Sequence, residues 1–235
     1  MAEHNFSVSI ILLSYRRPQN LNHIINTALS IESCQEIIVS NNNPEINIFD
    51  FLEENQDKLH ILQQKQHLPA AQRFQLAKDS CSKYFIAIDD DLFLQPKQIE
   101  ALIKYLYSDE AIPHGGPWGQ KILYENDEVR LKGWFYPNSQ VDVLNRSYAF
   151  TKDHVERFFE LLWLLGCQSI LDLGPADDVL LSFCGNRRPY CHDLGDWESC
   201  PTSNTPGIAL WKEDCFASHR LEIFRKLHQI TGRFE

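Results

Sequence analysis

The sequence predicts an α/β protein built on a doubly wound mixed sheet flanked by helices, and two observations carry that prediction. Apolar runs of strand length alternate four times with helical patterns over about 90 residues, the signature of parallel strands joined by right-handed crossovers. The fourth run, Tyr84–Ile88, then ends in three consecutive carboxylates, Asp89-Asp90-Asp91. Ligands of such sheets bind beyond the carboxyl ends of the strands, so the run enters the cleft where chemistry is expected.

Each element has its own signal. Val8–Ser14 is a continuous apolar run, and Pro18 and Asn20 open a helix whose Leu21, Ile24, Ile25, Ala28 and Leu29 recur at helical spacing. Residues 36–40 read as a second buried strand, closed by the turn signal Asn41-Asn42-Asn43-Pro44. Ile48, Phe49 and Leu52 sketch a short helix, residues 60–63 a third strand and residues 70–80 a helix. Beyond Asp91 a helix is expected over 96–107, with Ile99, Leu102, Ile103 and Leu106 on one face. A Gly/Pro-rich stretch at 114–119, mixed strands at 121–124 and 141–148, and helices at 152–165, 176–183 and Phe216–Thr231 complete the pattern. One domain over 1–235 is expected, with a nucleotide-binding half (1–107) and a sugar- and acceptor-binding half (108–235).

Bulk properties narrow the function. The 235 residues are 43% hydrophobic, enough for a sizeable core, and the net charge of −10 lacks the basic stripe that nucleic-acid phosphates require. Seven cysteines without any C-x-x-C pair read as free thiols in a reducing compartment rather than as zinc or redox sites. No signal peptide and no run near the ~20 apolar residues that span a bilayer are present, which predicts a cytoplasmic protein.

Polar groups following the early strands should converge. Ser14, Tyr15, Arg16 and Arg17 follow the first strand, Asn41 and Asn42 the second, and the three aspartates the fourth, while Arg73 lies on the helix feeding that strand. Paired amides can read a base edge, and guanidinium suits phosphate or a uracil carbonyl. Arg73 equally suits a solvated helix face. Three adjacent carboxylates repel one another unless a cation joins them, which points to a divalent metal, the other reading being a solvated acidic turn. Gly174-Pro175 announces another helix, in which Asp177 suits an N-cap and leaves Asp178 free to face the cleft.

In this order the motifs resemble the GT-A glycosyltransferases, most of all the exostosin-like N-acetylhexosaminyltransferases of family 64 and more loosely family 2. Gln72-Arg73-Phe74 stands where that family has Asn-Arg-Phe before its three aspartates. Ala176-Asp177-Asp178-Val179 resembles its Cys-Asp-Asp-Ile, and His219-Arg220-Leu221 its C-terminal arginine segment. The resemblance implies a GT-A fold and transfer of a sugar from a nucleoside-diphosphate sugar, a UDP-sugar by expectation, to a saccharide or other hydroxyl acceptor. It implies Mn²⁺ or Mg²⁺ held by Asp91 and Asp89, with Asp89 and Asp90 also serving the ribose or metal-bound water. Arg220 is then assigned to the diphosphate, or else is a helix residue extended along the surface. Asp178 is the base of an inverting reaction, or the group that orients donor and acceptor in a retaining one. Gln72 and Pro175 depart from the family's asparagines and bear on the identity of donor and acceptor.

Three further expectations concern the second half. His192 is a candidate metal ligand or else a core or surface histidine. The segment 193–207 is long for a structureless connection and reads as a lid that orders over the bound donor or as a disordered loop. Trp118, Trp134 and Trp197 suit stacking on a sugar or simple packing, and the 114–119 glycines suit a turn near the acceptor. Three other readings stay open: an inverting, family-2-like glycosyltransferase; a metal-dependent nucleotidyltransferase, which usually has a glycine-rich loop where this chain has Ser14-Tyr15-Arg16-Arg17-Pro18; and a catalytically inert nucleotide-sugar binder.

Overall fold

A computed structural model of the chain describes residues 7–52, 57–125 and 128–233, without the side chains of 124, 125, 128, 129, 134 and 135. The stacking expected of Trp134 therefore lies outside the described residues. In chain order the elements are β1 (Val8–Ser14), α1 (Leu21–Leu29), β2 (Cys34–Asn41), β3 (Leu59–Gln63), α2 (Gln72–Asp79), β4 (Tyr84–Ile88), β5 (Leu92–Phe93) and α3 (Pro96–Ser108). Then follow β6 (His114–Gly115), β7 (Trp118–Glu125), β8 (Glu128–Phe135), β9 (Ser139–Gln140), β10 (Val143–Asn145), β11 (Ser147–Thr151) and α4 (Lys152–Leu164). The last are α5 (Asp177–Ser182), β12 (Tyr190–Cys191), β13 (Glu198–Ser199) and α6 (Phe216–Thr231).

The main sheet has the order β3-β2-β1-β4-β11-β6-β12-β9. Strands β3, β2, β1 and β4 are parallel, with Leu12 opposite both Val39 and Ile88, so their carboxyl ends share one edge. Strand β11 runs antiparallel to β4, which makes the sheet mixed, as predicted. Alternation along β4 explains its wholly apolar sequence: Phe85 and Ala87 join the core on one face, Ile86 and Ile88 the core on the other. Helix α3 begins with Pro96 and a capping box between Gln95 and Gln98, and buries Ile99, Leu102, Ile103 and Leu106.

The strand expected over 141–148 is divided in two. Arg146 has φ of +72°, the left-handed region, and breaks the run between β10 and β11. Strand β10 pairs with β7 in a three-stranded sheet, while β11 joins the main sheet. Residues 121–124 belong to a longer strand, β7, which forms a hairpin with β8. Strands β6, β9 and β12 have two residues each, too few to leave a periodic signal in sequence. The seven cysteines are unpaired. Among the described residues no helix is long and apolar enough to cross a membrane.

Candidate active site

The ends of β1 and β4 bring the acidic run against two arginines from loops and one from a helix. Arg17 Nη1 donates to Asp90 Oδ1 at 2.8 Å, and its Nη2 lies 3.5 Å from Asp91 Oδ2. Arg146 Nη2 donates to Asp91 Oδ1 at 3.1 Å and to the Asp91 carbonyl at 2.9 Å. Arg73 Nη1, from α2, donates to Asp89 Oδ1 at 2.9 Å. Every carboxylate of the run thus has a guanidinium partner, which is how three adjacent charges are tolerated in a buried place. Burial still pushes Asp90 up to about 7, although Arg17 pulls it down. Burial raises Asp89 as well, against Arg73, with the neighbouring Asp91 adding to the rise.

A second cluster adjoins the first through Arg73, whose Nε lies 3.2 Å from Asp177 Oδ2 and whose guanidinium sits 4.8 Å over the Tyr148 ring. Burial would lower the pKa of Arg73, but Asp89 and Asp177 outweigh it and hold the guanidinium above its ordinary value. Asp178 Oδ1 accepts from Arg220 Nη1 and, at 2.7 Å, from the Val179 amide; its Oδ2 accepts from Asn145 Nδ2 at 2.8 Å. Arg220, 2% exposed on α6, donates its Nη2 to Gln120 Oε1 of β7. Burial pushes Asp177 up to about 6, opposed first by Arg73 and reinforced by Asp178 and Asp89. Five carboxylates (Asp89, Asp90, Asp91, Asp177, Asp178) therefore face four guanidiniums (Arg17, Arg73, Arg146, Arg220) at one edge of the sheet.

Several predicted residues have other surroundings than expected. Asn41 and Asn42 are buried, and their side-chain amides are taken up internally. Asn41 Nδ2 donates to the carbonyls of Asn43 and Ile46 and to Gln63, while Asn42 binds Ser40 Oγ and the Pro69 carbonyl. They brace the loops beside the cleft instead of presenting a free edge to a base. Arg16 is exposed, its guanidinium 5.1 Å from the Tyr15 ring, and Arg17 is the arginine turned onto the acidic run. Ser14 is buried at the end of β1 with a hydroxyl that has no hydrogen-bond partner. Asp177 does not cap its helix: Ala176 holds that position, and the Asp177 carboxylate faces Arg73. Arg220 is no surface residue but is buried on Asp178.

His192 is a core histidine here. Its Nε2 is 2.9 Å from His114 Nδ1, its ring stacks at 3.6 Å on Tyr105, and burial pushes it down to about 3. Within the segment 193–207, residues 197–203 fold onto the acidic run and its arginines. Strand β13 pairs with β5, the Cys200 amide donates to the Asp91 carbonyl at 2.9 Å, and Trp197 meets Trp118 edge to face at 5.9 Å. Sequence reasoning missed Arg146, Asn145 and Gln120. The first two sit at the break between β10 and β11, which nothing in an apolar-period reading marks.

Among the described residues no group of three or more His, Cys, Asp or Glu side chains is arranged to hold a metal alone. The donors present fit one in another way. Asp89 and Asp91 offer hard carboxylate oxygens, and Asp89 keeps 30% of its side chain exposed. Mg²⁺ and similar ions are commonly held by one or two carboxylates together with substrate phosphates.

The sequence profile of Glycosyl transferase family 2 matches residues 9–155. The chain belongs to glycosyl transferase family 2. The family-2 match runs from β1 into α4 and takes in Arg17, Arg73, the acidic run, Asn145 and Arg146, whereas Asp177, Asp178 and Arg220 lie beyond it. The curated proteins give no match. Among solved structures, CMP:2-keto-3-deoxy-manno-octonic acid synthetase complexed with CTP is similar at 13% identity. The alignment covers 83% of this chain and 94% of that chain with a TM-score of 0.53, and shows a shared fold. This family-2 chain thus has the mixed, helix-flanked sheet of the nucleotide-diphospho-sugar transferase fold.

Proposed function

We propose that this family-2 protein moves a sugar from a nucleoside-diphosphate sugar, a UDP-hexose or UDP-N-acetylhexosamine, to a hydroxyl of a saccharide or glycoconjugate acceptor. The observation that carries the reading is the meeting of the acidic run with Arg73, Asp177, Asp178 and Arg220 at the carboxyl edge of the sheet. Asp91 and Asp89 would hold Mn²⁺ or Mg²⁺, which supplies charge neutralisation to the departing diphosphate. Tyr15 and Arg16, just after β1, would serve the nucleotide, Arg73 fixes Asp89 and Asp177, and Arg220 fixes Asp178.

The engagement of both Asp178 oxygens supports the retaining branch, in which that carboxylate orients the reacting sugar and acceptor. The likeness to the exostosin-like family implies the same branch, whereas the family-2 match favours the inverting alternative, in which Asp178 is the base; the anomeric configuration of the product decides between them. The nucleotidyltransferase reading ranks below, because the loop after β1 carries no glycine and its Arg17 is bound to Asp90.

The test is a thermal-shift screen of nucleotide sugars with and without Mn²⁺, followed by product analysis. A ligand that binds only the folded state raises its melting temperature. We expect a UDP-sugar to do so only with Mn²⁺, and transfer with retained anomeric configuration. Full activity in chelator removes the metal from the reading, and pyrophosphate release from a nucleoside triphosphate replaces it with nucleotidyl transfer.

A further inference from the structure

The arginines of the acidic run do more than balance charge, because the same guanidiniums hold the segment that covers it. Arg17 Nε donates to Thr202 Oγ1 at 3.0 Å and its Nη2 to the Thr202 carbonyl at 3.2 Å. Arg146 Nη1 donates to Ser199 Oγ at 2.8 Å, and the Trp197 ring lies 5.6 Å from its guanidinium carbon. Ser203 Oγ stands 3.5 Å from both Arg146 Nη2 and the Asp91 carbonyl. The side chains of Arg17 and Arg146 are only 9% and 18% exposed, so few water molecules screen these contacts. Both arginines converge on one carboxylate, Arg146 at Asp91 Oδ1 and Arg17 at Asp91 Oδ2.

We infer that Arg17 and Arg146 are positioning residues that occupy the cation's place on Asp91 and, by that contact, latch residues 199–203 over the acidic run, so that divalent metal and latch exclude each other. The inference rests on the proposed metal role of Asp91. Its physical basis is competition between like charges. A divalent cation bound to a carboxylate whose two oxygens already face guanidiniums stands within a few ångströms of both, in a place with little water to screen the repulsion. Entry of the metal therefore turns both arginines away, and the side-chain bonds to Ser199, Thr202 and Ser203 go with them. The backbone pairing of β13 with β5 does not involve either arginine and keeps the segment attached. Linkage then requires the reverse as well: whatever weakens the latch strengthens metal binding by the same factor.

The experiment is a Mn²⁺ titration followed by electron paramagnetic resonance, without any donor, on the wild type, Arg146→Gln, Arg17→Gln and Asp91→Asn. Amide hydrogen exchange of Ser203 and Thr205, in the turn whose Thr202 carbonyl Arg17 holds, is measured alongside. We expect each arginine variant to bind Mn²⁺ about tenfold more tightly, a typical size for coupling between sites. We also expect Mn²⁺ to speed exchange at both amides in the wild type, and both to exchange fast in Arg146→Gln before metal is added. Mn²⁺ binding that depends on Asp91 but is equal or weaker in both arginine variants overturns the latch and leaves the metal reading standing. Binding that is unchanged in Asp91→Asn overturns the metal reading itself, and the latch with it.

Discussion

Arg73 is 5% exposed and stands between Asp89 and Asp177, so its removal leaves two carboxylates in a place that disfavours their charge. Breaking a buried pair from one side costs roughly 3–5 kcal/mol. We expect Arg73→Ala to lose stability on that scale in urea unfolding, and a loss under 1 kcal/mol would contradict the assignment. Asp91 is different, because Arg17 and Arg146 keep Asp90 and the Asp91 carbonyl as partners after its charge is gone. Asp91→Asn should therefore fold and melt near the wild type while kcat for sugar transfer falls roughly a hundredfold or more, as when one transition-state stabiliser is removed. At this scale the sequence spoke through residue type. Three adjacent aspartates declared a need for cations, but not that arginines already on the chain meet it. The amides of Asn41 and Asn42 looked free because nothing local announces the carbonyls of Asn43, Ile46 and Pro69 that accept from them.

Helix α2 delivers Arg73, and its placement depends on α4. Phe74 stacks on Phe158 at 4.1 Å and lies 5.3 Å from Phe150 of β11, all three fully buried. Truncating such a ring costs about 3–5 kcal/mol in transfer and cavity terms. We expect Phe158→Ala to lose stability by that amount and also to raise KM for the donor, although Phe158 is not among the ionic-cluster residues. An unchanged KM at equal folded fraction would show that α2 holds its place without α4. Elements with long periodic patterns were legible: α1, α3, α4 and α6 lie within a residue or so of their expected bounds. What was not legible is the division of 141–148 at Arg146, since its cause is a backbone angle and a competition between two sheets rather than a change in hydrophobic period.

Over the whole molecule, the far edge of the sheet sets a pH response of its own. His192 lies on the β12 side, and burial first, then His114, keeps it neutral with a pKa of about 3 against an ordinary 6.5. The unfolded chain takes up that proton below pH 6.5 and the folded chain does not. His192 therefore costs stability as pH falls from about 6.5 to about 3, at about 1.4 kcal/mol per pH unit. Other groups titrate in the same range, the raised aspartates in the opposite sense, so the contribution is isolated by difference. Between pH 6 and 4 the unfolding free energy of His192→Gln should fall less steeply than that of the wild type by about that slope, and parallel curves would contradict the buried neutral state. The turn at Arg146 has a consequence for engineering. One residue sets the path of the backbone from the small sheet to the large one and also supplies a guanidinium to Asp91. Glycine there would ease the backbone and remove the charge, whereas lysine would keep the charge and lose the fork. A screen that samples only one of these would mistake a topological residue for a binding one, or the reverse; together the two variants assign each defect to its source.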